Sequence, residues 1–459
     1  MDIEENRNYT YELASFIAET NVPGEVRHTA RRYLLDWLGS AIGGGTSEPA
    51  SIARKVADIL GGNQSSTVIA SGKKTSAPLA AFCNAAASHV IEMDDLDRTS
   101  ITHPAAPVIA CALSIAEQYE LSGEELLDGI AIGYEVCVRV GEALGPTHYE
   151  YWHTTGTAGT AGAAAAAARL LGLDIKQSAH TLGSAGTMAA GLWEFLSDGA
   201  MSKQLHPAKA AHDGALAALL ASEGFTGASH IFEGKKGILN AMSKAPRPNM
   251  LTDNLEHLAE RSDAWKINFV SFKVHSSCRH THAAVDGAIR IADSNSFEIT
   301  DIADVKVEIY SQALGLLDGV EPVTPWAAKF SLPFCVATAL RYKDCTPSRF
   351  TEETILDETT LALAEKISFD TKEDLDSMYP AAWPSRVMVR LQNGASYETQ
   401  VDYPAGDPET DVTTEQLSEK FRSLAYPYLE HNTDSVIELV MQRTYAPKAR
   451  ELTDVIGHK

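Results

Sequence analysis

No stretch of about 20 apolar residues occurs in the 459-residue chain, so a membrane-spanning helix is not expected. Positive charge is scarce: 38 Lys and Arg stand against 61 Asp and Glu, a formal charge of −23. A field of that sign repels nucleic acid and anionic lipid, so neither is expected as a partner. An anionic ligand would have to be drawn in by a local basic pocket. Cysteine is sparse, and the six residues (Cys83, Cys111, Cys137, Cys278, Cys335, Cys345) contain no CxxC pair. A disulfide framework is therefore not expected, and a reduced compartment fits better. The acidic start, Met1-Asp-Ile-Glu-Glu-Asn, has no basic segment leading into an apolar run. No signal peptide is expected, and the expected location is the cytoplasm. There is no GxGxxG after a strand, no P-loop, no GxSxG and no HExxH. Nicotinamide, ATP and serine-hydrolase chemistries thus have no support. Internal repeats and low-complexity linkers are also lacking, and the basic segments carry no interleaved aromatics of the kind a nucleic-acid groove needs.

What is present is apolar and small. Hydrophobic residues make up 44%, enough for a sizeable core, and 32 Gly accompany long Ala runs. From residue 8 to about 245 the apolar period is helical, with helices expected at Tyr9–Glu19, from Pro23, at Ala50–Leu60, Pro78–Ile91, Pro104–Tyr119, Gly123–Leu144, Ala158–Leu171, Ile175–Leu196 and Pro207–Glu223. A strand or extended segment is possible at 65–70. The Ala158–Leu171 segment is almost pure Ala and Gly, and such a helix buries every face. Near Trp265 the texture changes. Residues 265–274 alternate and predict a strand, as does the Val305–Tyr310 run. Helices are expected at His282–Ala292 and Ala327–Leu340. Arg386–Leu391 and Ser396–Val401, joined through Asn393-Gly394, predict a β-hairpin. Helix returns at Thr414–Ala425 and Asp434–Gln442. The expected fold is mainly α, with residues 267–405 an α+β insertion between helical segments 1–266 and 406–459.

Four segments concentrate polar chemistry. In the first, running from His89 to Pro104, Asp94, Asp95, Asp97, Arg98, Thr99, Ser100 and His103 lie between two Ala-rich helices. Pro104 suits a first helical turn, which would put Thr102 or His103 at the N-cap. An imidazole there faces exposed N–H groups and the positive dipole end. That place favours an anion and a neutral ring. The plainer reading of the same residues is caps and turns. In the second, Trp152-His-Thr-Thr-Gly-Thr, His153 precedes the small-residue helix and Thr154 and Thr155 are cap candidates. On this segment alone, a satisfied core histidine with ordinary caps is the favoured reading. In the third, Lys203 and His206 stand before Pro207, where a lysine is unfavourable for the helix dipole and suggests an anion, although a solvated lysine is the commoner explanation. In the fourth, Lys273, His275, Cys278, Arg279, His280 and His282 fall within ten residues. They suit an anion pocket. Cys278, His280 and His282 could also ligate a metal, but their spacing matches no zinc pattern.

In this order, the segments Met93-Asp-Asp…Thr102-His-Pro, Trp152-His-Thr-Thr-Gly-Thr, Lys203-Gln-Leu-His…Ala-Ala-His-Asp-Gly, Gly224-Phe-Thr-Gly…Gly-Lys-Lys-Gly, Phe272-Lys…Cys-Arg-His-Thr-His and Ala328-Lys-Phe-Ser-Leu-Pro-Phe resemble the MmgE/PrpD family. That family includes 2-methylcitrate dehydratases, cis-aconitate decarboxylases and iminodisuccinate epimerase. The resemblance spans nearly the whole chain and rests on the ordered set of motifs. It implies a large all-helical domain built from both ends of the chain, with a smaller α+β lid domain inserted and the pocket between them. It also implies a homodimer without metal or organic cofactor, acting on a small di- or tricarboxylate. Carried over by motif, the implied catalytic residues are His103, His153 and Asp94. The implied substrate-binding residues are Lys203, Lys273, Cys278, Arg279 and either Thr99 or Asp97, the acidic loop being one residue shorter than in the decarboxylases. Those decarboxylases have a histidine where this chain has Cys278. The Thr102-His-Pro tripeptide is nearer the decarboxylase type than the dehydratase type.

The reactions of that group can all begin at a carbon α to a carboxylate. Positive groups are worth most where charge develops, which is the role expected of the lysines and Arg279. His103 is the expected acid/base, with His153 protonating a leaving hydroxyl or orienting a carboxylate and Asp94 fixing a histidine tautomer. Dehydration is the first expectation; decarboxylation or epimerisation is the alternative, and carboxylate binding without turnover a third.

Overall fold

The computed structural model describes residues 7–197, 199–441 and 448–457. The chain is mainly α-helical and divides into two compact units. One comprises residues 1–90, 94–270 and 413–459; the other comprises 91–93 and 271–412. Among the described residues, no helix is long and apolar enough to cross a membrane.

The first unit contains α1 (Tyr9–Glu19), α2 (Gly24–Gly43), α3 (Glu48–Leu60), α4 (Ala77–His89), α5 (Ala105–Gln118), α6 (Gly123–Leu144), α7 (Thr154–Leu170), α8 (Ile175–Met188), α9 (Ser202–Ser222) and α10 (Ile238–Met242). A minimal antiparallel pair, β1 (Ser66–Thr67) and β2 (Lys74–Thr75), is all that forms in the β-branched stretch before α4. Local chemistry sets several helix starts. Ser122 and Glu125 make a reciprocal capping box at α6, and Asp174 and Gln177 do the same at α8. At the centre lies α7, which is buried from Thr154 to Ala168. Its packing uses backbone proximity, because a Cβ on Gly162 would sit 2.5 Å from the Cys137 Cβ of α6. On α9, Gly214 approaches α7 as closely, with a Cβ there falling 2.6 Å from that of Ala163.

The second unit contains α11 (His282–Ser294), β3 (Ile302–Ile309), α12 (Ser311–Leu317), α13 (Pro325–Ala328), α14 (Leu332–Tyr342), α15 (Glu358–Ala364), β4 (Ile367–Thr371), α16 (Glu373–Asp376), β5 (Ser385–Leu391) and β6 (Ser396–Val401). Its sheet has the order β4-β3-β5-β6, with β4 parallel to β3 and the other pairs antiparallel. The β5–β6 hairpin turns through Asn393-Gly394, where Gly394 takes φ +88°. Inward positions of β3 and β5, such as Val305, Val307, Val387 and Val389, are fully buried. The chain then closes on the first unit with α17 (Thr414–Leu429), α18 (Thr433–Met441) and α19 (Ala449–Gly457). The helix expected to reach Gln442 is described as far as Met441; Gln442 lies outside the described residues.

Four local expectations are corrected. The alternating run at 265–274 is not a strand: Lys266–Phe269 forms a 3-10 turn. Its backbone donors have nearer partners than a sheet. Lys266 N–H donates to the Glu135 carboxylate at 2.7 Å, and Asn268 N–H donates to the Trp265 carbonyl. The helix expected from Ile175 to Leu196 stops at Met188 and is followed by a separate 3-10 turn, Trp193–Ser197. The helix expected from Pro207 starts five residues earlier, at Ser202, so Lys203 and His206 belong to its first turns and Pro207 lies inside it. The N-cap of α5 is Pro104, not Thr102 or His103. The Asp95 carboxylate does the capping, accepting the Ala105 N–H at 3.0 Å.

Candidate active site

The first unit gathers four imidazoles. His89 ends α4, His103 lies just before α5, His153 is the N-cap of α7, and His206 sits in α9. Ring centroids of His103 and His153 lie 4.8 and 5.8 Å from that of His89, and His153 and His206 are 5.2 Å apart.

The loop holding His103 is built from its own carboxylates. Asp97 and Thr102 exchange backbone hydrogen bonds of 2.8 and 3.2 Å. The Asp97 carboxylate accepts from the Ser100 N–H and hydroxyl and from the Thr99 hydroxyl. Asp95 accepts the Tyr134 hydroxyl at 2.8 Å while capping α5. Gly141 of α6 gives the loop its room, since a Cβ there would lie 2.6 Å from the Ser100 Cβ. Closing the loop leaves Ile101 at φ +51°, a left-handed conformation that costs a β-branched residue of order 1–3 kcal/mol. That strain is held two residues before His103.

The hydrogen bonds fix ring states. His103 Nδ1 lies 2.6 Å from the Asp95 carbonyl oxygen, which can only accept. Nδ1 therefore carries the proton, and Nε2 holds the basic lone pair. Asp94 accepts from His89 Nδ1 at 2.6 Å and stands 3.5 Å from His103 Nδ1. The tautomer that Asp94 fixes is thus that of His89, whose Nε2 is buried without a hydrogen-bond partner among the described residues. His153 and His206 meet through their Nδ1 atoms at 3.0 Å. Burial pushes the His153 imidazole well below its usual range, helped by the neighbouring His206, His89, Lys203 and His103. His206 is pushed down to about 4 by burial, then by His89 and Lys203. Burial, then the Asp94 charge, raises the Asp95 carboxyl well above the usual carboxylate range. Asp97 is raised by burial and by Glu142.

Lys203 is buried in the first turn of α9, and its charge bears on both His153 and His206. A buried ammonium among imidazoles, at the positive end of a 21-residue helix, gains nothing from the helix dipole. An anion in the cluster would stabilise it. Among the described residues, His89, Asp94 and His103 are also the one group of three with ligand atoms close enough, within 4.8 Å, to hold a metal ion.

Residues 11–251 match the MmgE/PrpD N-terminal domain, and residues 275–444 match the MmgE/PrpD C-terminal domain. The chain belongs to the MmgE/PrpD family. This MmgE/PrpD chain is 24% identical over 435 residues to a cis-aconitate decarboxylase of Aspergillus terreus, covering 90% of this chain and 87% of that protein. It is 26% identical over 425 residues to a cis-aconitate decarboxylase of Homo sapiens, with 90% and 86% covered. A cis-aconitate decarboxylase-like protein of Aspergillus oryzae is 23% identical over 446 residues, with 91% and 90% covered.

His103, His153, Asp94 and Lys203, all singled out from the motifs, stand in this first-unit cluster. Thr99 does not: it is exposed, and its hydroxyl bonds to Asp97 and Glu142. In the second unit Lys273 is fully buried and paired with Glu92 at 3.0 Å. Arg279 is tied to Asp407 and, at 2.9 Å, to His282 Nδ1. Cys278 is buried, its N–H donating to the Lys329 carbonyl. His280 stacks on Trp383 at 4.3 Å and bonds to Tyr310. His280 and His282 thus bond to different partners, and among the described residues Cys278, His280 and His282 do not bring ligand atoms together as a group. Sequence reasoning passes over His89 and His206 as site residues. Their signals were present: a histidine five residues before Asp94, and one a helical turn after Lys203.

A further buried histidine gives a stability test outside the cluster. His148 donates from Nδ1 to the Met242 carbonyl at 3.0 Å and has Nε2 2.8 Å from the Thr157 hydroxyl. Burial holds it down to about 4, against 6.5 for the free side chain. As pH falls below 6.5, the unfolded state takes up a proton that the folded state refuses. Stability from His148 is therefore full above pH 6.5 and lost toward pH 4, by about 1.4 kcal/mol per pH unit. The raised Asp95 and Asp97 carboxyls act in the opposite sense. The comparison is accordingly between wild type and His148→Gln, by urea denaturation at pH 7 and pH 5. The variant is expected to lose about 2 kcal/mol less than wild type over that interval. Equal losses would show that His148 is not held neutral.

Proposed function

We propose that this chain is an enzyme that removes a proton from a carbon α to a carboxylate of a small di- or tricarboxylate. The observation that carries the reading is His103. Its Nδ1–H is committed to a backbone carbonyl, so Nε2 is the basic nitrogen, in a cluster where the charge of buried Lys203 reaches His153 and His206. In the reaction, Nε2 takes the α proton and becomes imidazolium, with Asp94 3.5 Å from Nδ1 to offset that charge. The electron pair left on carbon delocalises onto the carboxylate, where Lys203 meets the developing charge. His153, kept neutral, donates a hydrogen bond to a substrate oxygen rather than acting as an imidazolium acid. Lys273 and Arg279 already face carboxylates of their own unit, so Lys203 is given the main share of substrate charge.

Dehydration completes this scheme when the electron pair expels a β-hydroxyl, which leaves as water with the proton that the His103 imidazolium returns. Cys278, standing where family decarboxylases have histidine, favours it. The second reading is decarboxylation, in which carbon dioxide leaves and the alkene carbon is protonated. The three cis-aconitate decarboxylase and decarboxylase-like relatives favour that one.

Proton NMR of the full chain in D₂O with 2-methylcitrate, citrate, cis-aconitate, itaconate and iminodisuccinate separates the readings. New alkene signals from a hydroxy acid are the expected result. Loss of a carboxyl carbon from cis-aconitate would replace dehydration by decarboxylation. Solvent deuterium at an α carbon without net loss would indicate an epimerase. No exchange and no product on any of these acids would overturn the reading.

A further inference from the structure

His206 lies outside the set of residues assigned above to substrate, yet among the described residues its one side-chain hydrogen bond is with one of them. Its Nδ1 is 3.0 Å from His153 Nδ1. Two imidazole nitrogens can share a hydrogen bond only if one carries a proton and the other a lone pair. The contact therefore forces the two neutral rings into opposite tautomers. We propose that His206 is a positioning residue that donates its Nδ1–H to His153 Nδ1 and so holds His153 as the Nε2–H tautomer, with its N–H turned to an anionic oxygen of the substrate.

The surroundings are built around this contact. The His206 ring occupies space that two glycines leave open. A Cβ on Gly191, at φ +146°, would lie 3.2 Å from its Cγ, and one on Gly156 would lie 3.2 Å from its Cβ. The Gly191 carbonyl also accepts the His153 N–H at 2.9 Å, so one short stretch of chain holds the backbone of one histidine and the ring of the other. Phe195 presents an edge contact at 5.6 Å and closes another side of the His206 ring. Pro207 follows immediately and has no N–H to return to the Lys203 carbonyl four residues back. The direction of the hydrogen bond follows from charge. A carboxylate only accepts, so a neutral imidazole can serve it only through N–H. With Nδ1 of His153 turned to His206, that N–H is Nε2–H. The inference rests on the carboxylate reading above in this one step.

The test uses the full chain with ¹⁵N-labelled histidine and long-range proton–nitrogen NMR at pH 7.5. No substrate is needed. In wild type, the His153 ring is expected as a single neutral Nε2–H tautomer. In His206→Leu, where nothing donates, a mixture of tautomers or the opposite one is expected. His206→Asn places an amide N–H near the lost Nδ1 and is expected to restore the wild-type pattern. Once a substrate is found, His206→Leu should lower kcat at least tenfold with KM changed less than threefold, and His206→Asn should recover most of it. A His153 signal unchanged in His206→Leu, or an Nδ1–H tautomer in wild type, overturns the proposal. If the tautomer results are as expected but no acid is turned over, the positioning role stands and the catalytic reading falls. If His206→Leu melts far below wild type, the Asn variant still decides, because it alone keeps a donor in place.

Discussion

His103→Gln is expected to lose roughly 10²–10⁴-fold in kcat, the range that a positioned acid/base contributes. Glutamine can still donate to the Asp95 carbonyl, so the loop is kept, but it has no lone-pair nitrogen to accept a proton. KM should move little, since Lys203 is untouched. Far-UV circular dichroism and melting temperature should match wild type, because the loop is also closed by Asp97 and Asp95 through contacts independent of the ring. Single-turnover assays on whichever acid the D₂O screen identifies supply the measurement. Retention of wild-type kcat would remove His103 as the base and shift attention to His89, the neighbouring ring whose buried Nε2 has no hydrogen-bond partner among the described residues.

The largest effect on stability is expected at Glu92. Lys273 and Glu92 are both buried in the second unit, with the charged atoms 3.0 Å apart. Glu92 meets the lysine from a left-handed backbone at φ +58°, which a non-glycine residue adopts only when its surroundings hold it there. Glu92→Gln removes the negative charge and leaves a buried ammonium facing a neutral amide. Breaking one half of such a pair costs about 3–5 kcal/mol. Replacing both partners, as in Glu92→Gln with Lys273→Met, removes the stranded charge and should recover much of that loss. Thermal melting of the two variants and wild type makes the comparison. A single variant that melts with wild type would show that the pair carries no such cost, for instance because water reaches Lys273.

The helical body was readable because its signals are local. Gly123–Leu144 opens on a serine followed three residues later by glutamate, and the structure places the helix at those bounds. The hairpin was readable for the same reason, from alternation around Asn393-Gly394. Where long-range partners decide, pattern fails. The 265–270 stretch alternates as a strand would, but Glu135, more than a hundred residues earlier, takes its backbone donor. β4 pairs in parallel with β3 across about sixty residues, and only Ile367 of its five residues is buried. In the site, His103 and Asp94 could be picked out because polar residues are dense between apolar helices. Which histidine Asp94 serves could not. His89 and His103 flank it in sequence, and the choice depends on a 2.6 Å contact that only the fold of the loop creates. His206 was named beside Lys203 but given no role, because only the fold brings its ring against His153.

The alanine-rich α7 has a consequence for how this protein can change over time. Alanine and glycine have no rotamers, so a helix made of them cannot absorb an added methyl group by turning a side chain aside. Gly159 against Pro107, Gly162 against Cys137 and Gly214 against Ala163 would all be forced apart bodily. His153 caps the start of α7, while Lys203 and His206 stand at the start of α9. The helix works as a fixed-length ruler, about 25 Å from end to end, whose graduations are its smallest residues. A shift of 1 Å at a reacting group can cost about a hundredfold in rate. Substrate preference can therefore drift through the polar loops, while residues that never meet a substrate stay pinned to the two smallest side chains.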